Sequence, residues 1–158
     1  ELRNRIDAID AEMHRLLIER GTVIEALIEA KATGHGGAAY RPMREASMMR
    51  RMLRRHEGSM PFPTVEHIWR EIITAFTFLQ APFEVTADMS VEPERMRDLV
   101  RFVFGFSVDL VPVQGAGQVV TQVAAAGGKG VIARTSPEAW WRGMTRPPSP
   151  NVMALLPL

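Results

Sequence analysis

The sequence predicts an α plus α/β chain: an all-helical first half joined to a small α/β domain with a mostly parallel sheet. Three observations carry this. Residues 1–81 keep helical periodicity almost throughout, with apolar positions recurring at three- and four-residue steps. Residues 82–158 instead alternate short β-branched runs with short helical patterns, the mark of βαβ units. Between them Gln80-Ala81-Pro82 puts a helix-stopping proline at the change of texture, so the expected domains are 1–81 and 82–158.

The first element is the longest. Leu2, Ile6, Ile9, Met13, Leu16, Val23 and Leu27 follow alternating steps of four and three, with Arg20 in the slot between Leu16 and Val23. This heptad-like seam predicts a helix of about 31 residues, roughly 46 Å long at 1.5 Å per residue. So long a helix outruns a globule of about 80 residues, which favours pairing with a second copy. Gly34, Gly36 and Gly37 end it. Pro42, a favoured first-turn residue, opens a second helix that is expected to bury Met48, Met49, Met52 and Leu53 and to stop near Gly58. A third helix follows Pro63-Thr64, with Thr64 as N-cap, and carries Val65, Ile68, Trp69, Ile72, Ile73, Phe76 and Leu79.

The second half reads as strand 83–86, helix 93–104, strand 107–113, helix 116–126, strand 130–134, helix 137–143 and strand 151–156. Pro93 and Ser136-Pro137 are the helix-start signals. The glycine-rich QGAGQVV at 114–120 could hold an anion at a helix N-terminus. Val120 stands where GxGxxG needs its third glycine, so the stretch reads as a structural βα turn. AWW at 139–141 reads as packing against the sheet.

Composition narrows the function classes. A chain of 158 residues, 46% hydrophobic and 23% charged, is ordinary for a soluble globular protein with a core. A net charge of +1 gives no global field for nucleic acid or anionic lipid. The basic run RRMLRRH at 50–56 flanks the methionines of helix two at helical spacing, so it reads as a solvated face, and no nucleic-acid partner is expected. The absence of cysteine excludes disulfides, thiol catalysis and cysteine-ligated zinc, and fits a reducing compartment. His14, His35, His56 and His67 lack the close pairing of a zinc site, so no metal is expected. No apolar run reaches 18 residues, so no transmembrane helix is expected. The chain opens on Glu1 rather than Met, and further residues are expected before it.

Function enters through polar residues on apolar faces. Arg20 and Lys31 are eleven residues apart, close to three turns, and point the same way. An unpaired buried cation costs several kcal/mol. These two therefore snorkel to water, pair with carboxylates such as Glu19 or Glu25, or meet a bound anion. Arg3 lies at the edge of the same seam, and Arg44-Glu45 fall in the first turns of helix two. Gln80 sits four residues after Phe76 and seven after Ile73 on a core-facing stripe, where an amide needs a partner. The set Arg3, Arg20, Lys31, Arg44, Glu45 and Gln80 is rich in cations, has one carboxylate and has no nucleophile–base pair. It suits a small dianion and charge stabilisation rather than proton transfer.

On LRNRIDAID, LLIER, EAKA, RPMRE and IWREII…LQ, in that order, residues 2–80 resemble the all-helical class of chorismate mutases. The resemblance implies a three-helix subunit whose long first helices interlock in a homodimer with shared active sites. It implies a cytoplasmic enzyme of the shikimate pathway and aromatic amino-acid biosynthesis, one that turns chorismate into prephenate with no cofactor. By the same resemblance Arg3 reaches a substrate carboxylate across the dimer, and Arg20 binds one within its own subunit. Lys31 contacts a carboxylate and the ether oxygen. Arg44 and Glu45 match the Arg-Glu pair of helix two, with Glu45 accepting from the ring hydroxyl, and Gln80 donates to the ether oxygen. Phe76 departs from the pattern: many members carry a serine there that touches a carboxylate, and phenylalanine cannot donate that hydrogen bond, so Phe76 is expected either to lower activity or to bind substrate in a reshaped ring pocket. The loop from Lys31 to Arg44 is about one residue longer than usual, and Arg41 falls near the site of a common aspartate.

Two alternatives stand beside this reading. One is an isochorismate–pyruvate lyase, which resembles the family in fold and in some members has an aromatic residue at the Phe76 position. The other is a catalytically weak mutase-like regulatory or binding protein. The second half weakly resembles one lobe of a prephenate dehydratase domain on FGFSVDLVPV…QVVTQVAAAGGKGVI, yet it has no Thr-Arg-Phe triplet. Dehydratase activity is therefore not expected, and the segment is a candidate module for an aromatic effector or a stabilising remnant.

Overall fold

A computed structural model of the chain describes residues 1–32, 41–145 and 148–156, with the backbone alone at 31 and 32. Helix α1 spans Leu2–Ala32, α2 Pro42–Arg55, α3 Phe62–Gln80, α4 Pro93–Phe104 and α5 Ala116–Ala126. Strand β1 is Val85–Asp88, β2 Leu110–Val113 and β3 Lys129–Val131, and a 3-10 turn covers Trp140–Thr145. By their contacts the residues divide into two units, Glu1–Ala39 and Tyr40–Leu158.

The first unit is α1. Its seam is an apolar stripe interrupted by the half-buried Arg20. Leu2, Ile6, Ile9, Met13, Leu16, Val23 and Leu27 are all exposed, from 44% at Leu27 to 76% at Leu2. On its polar side Arg15 holds Glu12 at 2.7 Å and Glu19 at 2.8 Å, so Glu19, the neighbour of Arg20 in sequence, is engaged with Arg15. The expected stop at Gly34, Gly36 and Gly37 lies outside the described residues.

In the second unit, α2 begins at Pro42 as its sequence predicts and buries Pro42, Ala46, Met49 and Met52. Arg50, Arg51, Arg54 and Arg55 take the solvent side. Leu53 is 56% exposed, against expectation, and Met48 is only half-buried. One residue beyond Met52 turns a side chain about 100° away from the 42–46–49–52 stripe. Helix α3 starts at Phe62, before the expected cap at Thr64. Extended Pro61 takes the cap position, and the Thr64 N–H donates to the Pro61 carbonyl at 3.0 Å.

The buried stripe of α3 is Arg70, Thr74 and Thr77, while Ile68 and Leu79 are 40% and 66% exposed. The reason is the neighbour. The ring of His67 stacks on Phe102 of α4 at 5.4 Å, and Glu71 Oε1 accepts the Phe106 N–H at 3.0 Å. Phe83, just before β1, meets Phe78 at 6.1 Å and Phe104 at 6.4 Å. Thus α3 packs against the α/β segment through aromatic and polar groups.

The sheet is parallel with order β2-β1-β3. A small parallel α/β segment therefore follows the helices, as the sequence predicts. Val85, Ala87 and Met89 join Met96, Val100, Val103, Phe104, Val108 and Val131 in one core. Thr86 pairs in register with Gly130, where a Cβ would stand 2.7 Å from Val119 and 3.1 Å from Val123. A side chain at 130 would push α5 off the sheet.

Helices α4 and α5 have their expected limits, and the strands are shorter than expected or shifted. Pairing of β1 begins at Val85, whose N–H donates to Asp109 at 2.9 Å, because Phe83 is held in the aromatic cluster. The expected helix 137–143 is the 3-10 turn 140–145. Its forerunner Glu138 is engaged elsewhere, on α5. No strand forms over 151–156. Pro148 and Pro150 precede this stretch and lack ladder donors; Val152, Met153 and Leu155 are exposed, and only Leu156 reaches the core. Trp141 is 56% exposed, so AWW does not pack wholly inward; Trp140 and Trp141 meet edge to face at 5.9 Å.

Candidate active site

The first unit carries Arg3, exposed, and Arg20, half-buried; the side chain of Lys31 lies outside the described residues. The second unit carries Arg44, exposed, with Glu45, Phe76 and Gln80 half-buried. Arg41 is exposed at the cap of α2. Gln80 closes α3, and its Nε2 donates to the Phe76 carbonyl at 3.1 Å. That bond lays the amide against its own helix at the last turn.

Glu45 has the most perturbed surroundings of the set. It lies on α2 beside the buried Ala46. Burial raises its carboxyl above the usual range, and the positive charges of Arg70 and Lys129 pull it back. Arg70 is 1% exposed, and its Nε and Nη2 donate to Glu66 Oε1 at 2.9 and 2.6 Å. Its guanidinium also lies 5.7 Å from the Phe102 ring centroid. Lys129 opens β3, with Nζ 3.1 Å from the centroid of Phe83. Burial lowers its ammonium to about 8, and the Glu45 carboxylate opposes that shift.

Sequence reasoning missed Arg70, Glu66 and Lys129. The signals were there: Glu66 and Arg70 are four apart on a helix, and Lys31 and Lys129 are the two lysines among nineteen cationic residues.

A groove of about 560 Å³ is bounded by Val113, Gln114, Gly117, Gln118 and Glu138. None of its lining residues belongs to the predicted set. There the Gly117 N–H donates to Glu138 Oε2 at 2.7 Å, and a Cβ at Gly115 would come within 2.5 Å of Glu138 Oε1. The chain's own carboxylate thus takes the anion position at the α5 N-terminus, in line with a structural turn.

The architecture is that of a helical domain bearing cationic side chains along α1 and α2, extended by a small parallel α/β segment. The chorismate mutase type II family matches residues 2–81, and the chain belongs to that family. A bifunctional chorismate mutase/prephenate dehydratase of Neisseria gonorrhoeae is 39% identical over 83 residues, 52% of this chain and 22% of that protein. Proteins of the same description from Pseudomonas aeruginosa and Aquifex aeolicus are 29% identical over 128 residues and 31% over 127. Each of these covers 78% of this chain, and 35% and 34% of the relative. The chain therefore spans about a fifth to a third of the relatives it matches. The two longer matches run past α3 into the α/β segment. No solved structure matches the chain.

Proposed function

We propose that the chain catalyses the rearrangement of chorismate to prephenate. The family match over α1–α3 is the observation that carries this reading. The relatives' names support a mutase and give no support to a lyase.

The reaction is intramolecular and pericyclic. One C–O bond breaks as one C–C bond forms, and no proton leaves the substrate. The protein has two tasks: to hold the compact conformer, and to stabilise the negative charge growing on the ether oxygen. Orientation is worth several kcal/mol. One preorganised donor at the developing charge is worth about 3 kcal/mol. In this proposal Arg3, Arg20 and Arg44 grip two carboxylates, for which the guanidinium fork is suited. Lys31 and Gln80 address the ether oxygen, Glu45 accepts the ring hydroxyl, and Phe76 packs against the ring. Gln80 is neutral at any pH, so it adds no acid limb of its own.

The proposed active form is a homodimer. The exposed seam from Leu2 to Leu27 supports it, because a stripe of that length left in water is costly and a second copy offers the matching surface. Arg3 would then serve the partner's site. An aromatic effector is assigned in this reading to the α/β segment, in the groove lined by Val120, Ala124, Trp140, Pro148 and Pro150. No described helix is long and apolar enough to cross a membrane, and the enzyme is proposed to work in the cytoplasm.

One experiment tests the reading. The protein is given chorismate and, separately, isochorismate, and the products are separated. Prephenate from chorismate is expected. Salicylate plus pyruvate from isochorismate would point to the lyase, and no product from either would leave a binding protein.

A further inference from the structure

We propose that Arg51 and Arg55 extend the mutase site along α2, forming with Arg44 a cationic row that draws in the dianionic substrate before it is bound. The inference rests on the mutase reading above, in which Arg44 grips a substrate carboxylate, and deepens it.

Helix α2 has the sequence PMREASMMRRMLRR and buries Pro42, Ala46, Met49 and Met52. Arg51 and Arg55 follow Arg44 by seven and eleven residues. At about 100° per residue both return to within roughly 20° of the Arg44 direction, about 10 and 16 Å further along the axis. All three side chains are exposed. A hydrogen bond orders the row: Arg51 Nη1 donates to Ser47 Oγ at 3.1 Å. Ser47 lies three residues after Arg44 and is its neighbour on the helix surface. The bond therefore draws the Arg51 guanidinium one turn back along the helix, toward Arg44.

Nothing in the fold asks for this row. Among the described residues no carboxylate pairs with Arg44, Arg51 or Arg55. Arg51 and Arg55 are four apart, where like charges repel. The helix dipole favours a cation in the last turn, which holds Arg54 and Arg55 but not Arg51. Glu45, the carboxylate of α2, is half-buried and lies about 100° round the helix from Arg44. What the row offers is a positive field continuous with a residue of the proposed site. The whole chain carries only +1, so attraction of an anion comes from local charge and not from the molecule at large.

The test is kcat and KM for chorismate at roughly 0.01 M and roughly 1 M ionic strength, where the screening length falls from about 30 Å to about 3 Å. The proteins are the wild type, the double variant Arg51→Gln with Arg55→Gln, the double variant Arg51→Lys with Arg55→Lys, and the single variants Arg51→Gln and Arg50→Gln. At low ionic strength the double glutamine variant is expected to lose about fourfold in kcat/KM, from two charges about 10 and 16 Å from a dianion in water. The loss falls on KM and closes at high ionic strength. The lysine variant keeps wild-type values at both, because a field needs charge and not the guanidinium fork. Arg51→Gln alone loses about two- to threefold at low ionic strength, and Arg50→Gln, about 120° round the helix from Arg44, less than about twofold. Circular dichroism checks folding, and Arg51→Gln alone carries the test should the double variant lose its fold. Three results overturn the inference while the mutase reading stands: a folded glutamine variant with wild-type kcat/KM at low ionic strength, a loss that persists at high ionic strength or falls on kcat, or Arg50→Gln as impaired as Arg51→Gln. A wild type without turnover overturns the mutase reading, and the inference falls with it.

Discussion

Arg70→Ala should be among the most destabilising single changes in the second unit. The side chain is 1% exposed, and Glu66, its partner, is 18% exposed at 2.6 Å. Removing the guanidinium leaves a mostly buried carboxylate without its cation and opens space beneath Phe102. Breaking one side of a buried pair costs about 3–5 kcal/mol. Arg70 Nη1 is buried and finds no hydrogen-bond partner among the described residues. The intact pair is thus not fully satisfied, which places the expected loss at the lower end, about 3 kcal/mol. The double change Arg70→Met with Glu66→Gln removes both charges and keeps the volume, so most of that loss should disappear. Urea unfolding followed by tryptophan fluorescence reads the right unit, because Trp69, Trp140 and Trp141 all lie in it. A loss below about 1 kcal/mol for Arg70→Ala, or a double variant as weak as the single, would refute the buried-pair argument.

Two further outcomes follow from the same unit. Gly105 has φ +79° and ψ 171°, and a Cβ there would stand 2.6 Å from Glu71 Oε2; Gly105→Ala should cost about 1–3 kcal/mol in urea unfolding and loosen the Phe106–Glu71 contact. Lys129 titrates at about 8 when folded, below its unfolded value of about 10.4. Between those values the unfolded chain binds the extra proton, so the stability contribution of this group rises with pH across that window. Urea midpoints at about pH 8 and about pH 10 should show the rise in the wild type and its absence in Lys129→Met.

The parts of the fold that were legible are those with local punctuation. Pro93 opens α4, and Gly127 follows α5, so both helices have their expected limits. The seam of α1 was legible from spacing alone. The buried face of α3 was not, because periodicity counts Ile and Leu while the packed stripe is Arg70, Thr74 and Thr77, matched to α4 rather than to an apolar core. The last helix and strand were misread for a related reason. Glu138 is drawn onto the Gly117 N–H, and the prolines at 148 and 150 leave no ladder for 151–156. The proposed site residues rest on family motifs at fixed spacing. The electrostatics around Glu45 were not legible, because two of the charges acting on it, Arg70 and Lys129, come from α3 and β3, which no pattern in α2 connects to it.

The central proposal is that cationic side chains of the helical half stabilise a dianion as its ether bond breaks. The direct measurement is chorismate turnover by the wild type, Lys31→Ala and Arg50→Ala, the last exposed on the solvent side of α2. The account predicts at least a hundredfold loss in kcat/KM for Lys31→Ala, from about 3 kcal/mol at the ether oxygen, and a near wild-type value for Arg50→Ala. Equal values for the two variants, or no turnover by the wild type, would contradict it.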